Sequence, residues 1–150
     1  MLTQLQKDAI QAAILSTYVI NYTRVDIPVV YDDQFHPERV AYPIIAIRFT
    51  DGKTAFGDID GVNWENIKLI INVLAEGRDR RMSGELLNGD IVASEVSRLL
   101  MADLNTNLDT TLRSSNVLLA EMATIVNNLS DVSAVGNIFR YRIEIKLLYR

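Results

Sequence analysis

The feature that most constrains the fold is a strict alternation of side chains between residues 139 and 149. The odd positions are all aromatic or aliphatic, and the even positions from 140 to 146 hold Arg140, Arg142, Glu144 and Lys146. Successive side chains of a strand point to opposite faces of a sheet, so this period of two predicts a long, half-buried strand. Its apolar face is expected against the core, and its charged face toward water or a partner.

A second alternating segment spans residues 22–31. Its apolar face is formed by Val25, Ile27, Val29 and Tyr31. Proline has no N–H to donate to a strand ladder, so this strand is predicted to lie at a sheet edge or to end in a bulge near Pro28. Residues 32–42 follow as a polar loop that is long enough to be a functional arm.

The next segment, Pro43–Thr50, is rich in isoleucine and is expected to be a strand buried on both faces except at Arg48. Asp51-Gly52 then favours a tight hairpin turn, because a type I′ turn needs positive φ angles. The return strand is predicted at Lys53–Asp60.

Three helices are predicted. The first covers residues 2–20, and its inward stripe is Leu2, Leu5, Ala9, Ala12 and Ala13, widened by Ile10 and Ile14. The second runs from Trp64 to Glu76, between Asn63 as N-cap and Gly77 as the residue after the C-cap. The third begins at Asp90, and its apolar positions keep a helical period as far as Leu108.

Two segments leave alternatives open. Arg78–Leu87 fits a short strand or a loop. Val117–Val126 fits a helix, or a strand that leads through a Ser130–Asn137 loop into the last strand, and the strand is favoured. The whole pattern predicts one domain over residues 1–150 of the α/β (α+β) class, with a mainly antiparallel sheet, a long C-terminal strand and about three flanking helices.

Composition excludes several kinds of chemistry. With no cysteine and one histidine, disulfides, thiolate zinc sites, iron–sulfur clusters and multi-histidine metal sites are ruled out. Ile47 stands where a phosphate-binding loop ending at Gly52-Lys53 needs glycine. Val62 stands where a calcium loop beginning at Asp58 needs its third oxygen ligand. We therefore predict no cofactor, no metal and no enzyme activity.

The charge is unevenly placed. The chain has a net charge of −4, from 15 basic and 19 acidic residues, which does not favour sequence-independent nucleic-acid binding. Residues 138–150 hold four basic residues against one acidic residue, a net of +3, so the rest of the chain totals −7. No run of residues reaches the ~18 apolar positions of a membrane helix, and no secretion signal is recognisable, so a cytoplasmic origin without a membrane partner is expected.

Three surfaces are candidates for contact with a partner. Their residues are Phe35, His36, Arg78, Arg80, Arg81, Arg140, Arg142 and Lys146. The cluster from Arg78 to Arg81 follows the second predicted helix, where cations complement the helix dipole, and this account is favoured over contact with an acidic neighbour or with DNA. His36 in its polar loop is a surface hydrogen-bonding group rather than a base. The charged face of the last strand suits a partner with acidic groups.

The segment NNLSDVSAVGNIFRYRIEIKLLYR (127–150) resembles the end of tailed-bacteriophage tail-terminator and neck proteins, which finish with a polar turn and an aromatic-basic alternating strand. The segment GRDRRMSGELLNGDIVASEVSRLL (77–100) is similar to phage structural proteins too. The resemblance implies a tail-terminator-like domain over residues 1–150, with an antiparallel sheet flanked by helices. It transfers no individual binding residue.

The resemblance also implies a function and a location. Such proteins form a ring, commonly a hexamer, at the head-proximal end of the tail. The ring caps the tail tube, stops its polymerisation and meets the neck. The implied partners are further copies, the tail tube and the neck or connector proteins, with DNA passing through the ring without sequence-specific contacts. The protein would be made in the host cytoplasm and would reside in the virion.

Two alternatives remain at this point. One is an adaptor or binding subunit of another macromolecular machine, such as a contractile injection system, which would use the same surfaces. The other is a small enzyme that uses the carboxylates of Asp32, Asp33 and Glu38 near His36. Neighbouring carboxylates can shift each other's protonation when they are partly buried.

Overall fold

The computed structural model describes residues 2–20, 23–34, 43–50, 53–57, 63–76, 78–79, 87–114, 117–133 and 136–149. Their elements in chain order are α1 (Gln4–Ala13), β1 (Thr17–Ile20), β2 (Thr23–Asp26), β3 (Val29–Tyr31), a 3₁₀ turn (Asp32–Gln34), β4 (Ile44–Phe49), β5 (Lys53–Gly57), β6 (Asn63–Glu76), β7 (Arg78–Asp79), β8 (Leu87–Asn88), α2 (Gly89–Ser114), β9 (Val117–Ser133) and β10 (Gly136–Tyr149). The mixed α and β class is confirmed. In these ranges there are two α-helices, so the expected number of about three is wrong.

The main sheet has six strands in the order β3-β4-β6-β10-β9, with β5 also paired to β6. β3 and β4 are parallel, and the other neighbours are antiparallel. The long last strand is confirmed as β10, which pairs with β6 from Ile138 opposite Glu76 to Tyr149 opposite Glu65. β10 therefore lies inside the sheet, between β6 and β9.

The helix expected at Trp64–Glu76 is wrong, because this segment is the 14-residue strand β6. Ile67, Leu69, Ile71 and Val73 are all buried in the main core, so every second residue faces it. Ile70 and Leu74 on the other face are buried too. A central strand that is apolar on both faces matches a helical period as well as a period of two, and its β-branched residues favour the strand.

The hairpin expected at Asp51-Gly52 is also wrong. β4 and β5 both pair antiparallel with β6, at Leu69–Leu74 and at Asn63–Asn66, so the chain keeps its direction between them. Between the two strands the Thr50 N–H still donates to the Lys68 carbonyl, at 2.9 Å. Asp51 and Gly52 themselves lie outside the described residues. The residue types at Asp51-Gly52 predict that the chain reverses direction there. Instead, β4 and β5 both pair with the long strand β6, so sheet pairing continues past this point.

The first helix is shorter than the expected 2–20. It begins after Thr3, whose hydroxyl accepts from the Gln6 N–H while the Gln6 side chain accepts from the Thr3 N–H, a capping box. It ends at Ala13, and Thr17–Ile20 is the strand β1, whose side chains are β-branched or aromatic at every position.

The predicted inward stripe of this helix is mostly wrong. Leu2, Ile10 and Ile14 are buried, whereas Leu5 is 80% exposed and the three alanines of the stripe are exposed as well. α1 instead turns polar side chains toward the sheet edge, where the Gln11 amide donates to the Val29 carbonyl at 2.9 Å. An edge strand has unpaired backbone groups, so a polar helix face suits it.

Several other strand predictions are confirmed. The segment 22–31 is interrupted at Pro28, and β3 after it is an edge strand of the main sheet, as the proline predicts. β4 is buried apart from Arg48 and the half-buried Phe49. The favoured strand at 117–126 is β9, which continues to Ser133, so the Ser130–Asn137 loop is wrong: Ser133 already pairs with Gly136 in the β9–β10 hairpin.

The helices pack on one face of the main sheet, called here the helix face. α2 contacts β9, β10 and β6, and its apolar positions from Val92 to Leu112 meet the odd-numbered side chains of β4, β6 and β10 in the core. The even-numbered side chains of these strands point to the opposite face. Among the described residues no helix packs on this second face, which is called the groove face below.

Candidate interaction surface

Three neighbouring strands bring four cations together on the groove face. Arg48 comes from β4, Lys68 from β6, and Arg142 and Lys146 from β10. Because all four have even numbers in strands with the paired registers above, the period of two places them on one face. They line a groove of about 530 Å³, the cationic groove, together with Ile67 and Ile70. The groove therefore combines an apolar floor with a charged rim.

Glu144 lies among these cations. Its carboxylate is 2.8 Å from an Arg142 Nη and 3.3 Å from the Lys68 Nζ. The Glu144 side chain is only 20% exposed, so these ion pairs are less screened than ordinary surface pairs. One carboxylate thus serves two of the four cations directly.

The described cations of the groove face contrast with the net charge of the whole chain. With Arg140, the described side chains of the groove face include five cations and the Glu144 carboxylate, whereas the chain has a net charge of −4. A cationic face on an acidic protein attracts an anionic partner and orients it during approach.

Two buried polar atoms lie side by side near the groove. Asn72 is 8% exposed and is opposite Arg142 in the β6–β10 register. Among the described residues neither the Asn72 Oδ1 nor the Arg142 Nε has a hydrogen-bond partner. Buried polar groups are normally bonded. Both atoms are buried, so they are not accessible to a molecule from outside the chain.

The candidate interface residues are distributed unevenly. Arg140, Arg142 and Lys146 share the groove face, as the alternation predicts. Arg48 and Lys68 join them but were not among the candidates. Arg48 could be found from the sequence, because it is the charged residue of an otherwise apolar strand. Lys68 could not be found, because its segment is predicted to be a helix.

The other candidates are tested only in part. Phe35, His36, Arg80 and Arg81 lie outside the described residues, as does Glu38. Arg78 is in β7, which pairs with β8. The helix-dipole account of its cluster is wrong, because the preceding element is a strand that ends at Glu76.

A second depression lies at the end of β3 and β4, beside α1. This cleft of about 660 Å³, the carboxylate cleft, is lined by residues that include Asp8, Asp32, Asp33, Lys7, Tyr31 and Arg48. Asp32 and Asp33, the carboxylates of the enzyme alternative, are therefore joined by Asp8. The Lys7 ammonium lies 5.8 Å from the centre of the Phe49 ring.

Hydrogen bonds fix the protonation of the Asp8–Tyr31 pair. The Asp8 carboxylate accepts from the Tyr31 hydroxyl at 2.5 Å and from the Gln4 amide at 2.8 Å, and these bonds lower the pKa of Asp8. Burial and the Asp8 hydrogen bond raise the pKa of Tyr31 to about 12. A general acid or base works best with a pKa near the working pH, and these two groups are moved away from neutrality.

No protein-family model matches the chain, and no curated protein matches it. In the part of the chain that the structure describes, no set of three or more histidine, aspartate and glutamate side chains is arranged to hold a metal ion. Neither described helix has the length and apolarity needed to cross a membrane. The geometry of the groove face is therefore the main guide to function.

Proposed function

We propose that this protein is a structural subunit of a tailed-bacteriophage particle, forming a ring at the head-proximal end of the tail that caps the tail tube and joins it to the neck. The observation that carries the proposal is the cationic groove on the helix-free face of the sheet. The protein acts through this surface on copies of itself and on neighbouring proteins, and it transforms no substrate.

The chemistry of the groove supports a protein partner. Its cations stand on β4, β6 and β10, and strands hold side chains more rigidly than loops do. Ile67 and Ile70 form the apolar part of the groove lining. Charged groups around an apolar centre are the usual arrangement of a protein–protein interface.

The layering of the fold supports a ring. The helices occupy one face of the sheet and the groove occupies the other, so a partner copy that fills the groove uses a different surface of its own. Contacts between two different surfaces are heterologous, and they close into rings when the rotation between copies allows it. The segment that resembles tail-terminator proteins includes β10, which contributes Arg142 and Lys146 to the groove. The hexameric ring, the virion location and the neck partners rest on that resemblance.

Electron microscopy of negatively stained samples tests the proposal. The purified protein is imaged alone and after mixing with purified tail tubes, and we expect rings, with one ring on one end of each tube. The groove variant Arg142→Glu/Lys146→Glu is expected to leave tubes uncapped. The matched control Arg98→Glu changes an exposed arginine of α2 outside the groove and is expected to cap tubes normally. A wild-type protein that stays monomeric and leaves every tube end bare would contradict the proposal.

A further inference from the structure

We propose that copies of this protein join edge to edge in the ring, with β9 of one copy pairing antiparallel to β5 of the next, so that the main sheet continues from subunit to subunit. This inference rests on the proposed ring function and names the contact between copies that builds it. It is carried by the two outer edges of the sheet, the directions of its strands and the residues on the two edges. The cationic groove lies on a face of the sheet, so an edge contact leaves it to a neighbouring protein.

The first observation is that β9 forms one outer edge of the main sheet along 17 residues. Among the described elements it pairs with β10 alone. An edge strand presents N–H and C=O groups to which a further strand can bond, and proteins protect such edges with proline, lysine, bulges or short strands. Between Val117 and Ser133 there is no proline, lysine or arginine, and the protective feature that β9 does have is a set of bulges. β9 is therefore a long edge with little protection against pairing.

The opposite side of the sheet ends in β3 and β5, and these two strands differ. The Pro28 carbonyl accepts from the Ile45 N–H of β4, so the next carbonyl, at Val29, is turned away from β4. The Gln11 amide of α1 donates to that Val29 carbonyl, so α1 covers part of the outer edge of β3. Among the described elements β5 pairs with β6 alone. The outer edge of β5 is therefore the place where the sheet can be extended on this side.

The strand directions make the pairing of β9 with β5 antiparallel. β9 runs in the same direction as β6, because each is antiparallel to β10, and β5 is antiparallel to β6. When a second copy lies beside the first in the same orientation, its β5 therefore runs opposite to β9 of the first. This contact joins two different edges and is heterologous, which is the type that closes into rings when the rotation between copies allows it.

Charge and bulges indicate the register of the two edges. β9 has two acidic residues and no basic one, whereas β5 has Lys53 and no acidic residue. Pairing Lys53 with Glu121 sets opposite charges across the contact, which stabilises cross-strand pairs. In this register Ala55 lies opposite Leu119 and next to Ala120. Ala55 and Ala120 are the residues left out of the regular pairing with β6 and β10, and because a bulge bends its strand, the two edges bend at the same level.

Glu121 also has a neighbour in its own chain. It is opposite Lys146 in the β9–β10 register, and Lys53 of the next copy takes the position on its other side. One acidic position then lies between two basic positions along the continued sheet. The proposed pairing therefore does not require Glu121 to be without a partner inside its own chain.

Engineered cysteines test the pairing on a clean background, because the chain has no cysteine of its own. Lys53→Cys and Glu121→Cys are prepared as separate single variants, mixed in equal amounts and treated with oxidised glutathione. Opposite residues of antiparallel strands have Cα atoms about 4.5–5.5 Å apart, which is within the range of a disulfide. We expect at least about tenfold more disulfide-linked dimer from the mixture than from either variant alone, since neither cysteine meets its own copy in this contact. Non-reducing gels measure the dimer.

The double variant Lys53→Cys/Glu121→Cys reports on the whole ring. Inside one subunit β6 and β10 separate β5 from β9, so three strand spacings of about 4.8 Å exclude a disulfide within the chain. This variant is therefore expected to form a ladder of linked species that ends at the ring. The matched control mixes Glu121→Cys with Arg24→Cys, an exposed residue of the separate β1–β2 sheet, and should give only background dimer. Circular dichroism checks that each variant is folded.

The outcomes separate this inference from the proposed function. Rings of the double variant that cap tail tubes but do not cross-link contradict the pairing of β9 with β5 and leave the ring function standing. Abundant dimers of Glu121→Cys alone also contradict the pairing, since β9 then meets β9 of another copy. Cross-linking without capping of tubes supports the edge pairing and counts against the proposed function. If the folded variants give neither cross-links nor rings, both proposals are wrong.

Discussion

The two faces of the main sheet are built from the same strands but differ in packing and in charge. On the helix face, Leu69, Ile71, Ile143 and Ile145 are fully buried and form one continuous core with α1 and α2. On the groove face, the described residues between them are a mixture of cations, the Glu144 carboxylate and aliphatic side chains. Burial in the main core and the charged side chains are therefore found at alternate residues of β10, and a substitution can address either one by its position number.

The largest expected effect of a substitution separates the two faces directly. Ile143→Ala removes a fully buried side chain from the helix face and is expected to lower the free energy of unfolding by about 2–5 kcal/mol, since a cavity adds to the lost burial. Lys146→Ala, three residues further on the exposed groove face, is expected to change it by less than ~0.5 kcal/mol. Urea titrations of both variants measure this. Similar losses for the two substitutions would contradict the division between the faces.

The sequence could predict β10 and could not predict β6, for a physical reason. In β10 the two faces differ in polarity, so the period of two is visible in the residues themselves. In β6 both faces are largely apolar, and Asn63 and Gly77 imitate helix caps at its ends. The groove could not be predicted for a related reason, because it depends on Lys68 lying beside Arg142 and Lys146 of β10, which are 74 and 78 positions away in the chain. Such pairing between distant strands leaves no local signal.

The α1 helix shows a different limit of sequence-based prediction. Its strongest apolar candidate, Leu5, is exposed, and its polar Gln4, Asp8 and Gln11 contact β3. The prediction assumed that the helix packs on an apolar surface. A helix that lies beside an edge strand meets backbone carbonyls and a tyrosine hydroxyl instead, and only the tertiary structure reveals that environment.

An intermediate effect is expected from the one described carboxylate of the groove face. Glu144→Gln removes the charged partner of Lys68 and Arg142 while keeping the size of the side chain. Because these pairs are partly screened, we expect a loss of about 1 kcal/mol in the free energy of unfolding. The charge of the groove rises at the same time, so association with an acidic partner should become tighter. Chemical denaturation measures the stability, and sedimentation measures the association. If the variant is less stable and also associates more weakly, the role of Glu144 is to hold the groove side chains in place rather than to reduce their net charge.

The smallest expected effect lies outside both faces, in the Asp8–Tyr31 pair, and it appears as a dependence on pH. The folded pKa of Asp8 is below its ordinary value of 3.8, so this group stabilises the fold above that value and the contribution is lost as the pH falls through the folded pKa. The pKa of Tyr31 is raised from 10.0 to about 12, so its contribution is present below pH 10 and is lost as the pH rises toward 12.

Tyr31→Phe removes the hydrogen bond that contributes to both pKa shifts. The thermal stability of this variant should therefore change less steeply with pH than that of wild type, in both the acidic and the alkaline range. Identical pH profiles of the melting temperature for the two proteins would show that the hydrogen bond does not persist in solution. The proposed binding by the cationic groove should then be retained, because neither the Lys68–Glu144 nor the Arg142–Glu144 ion pair involves Asp8 or Tyr31.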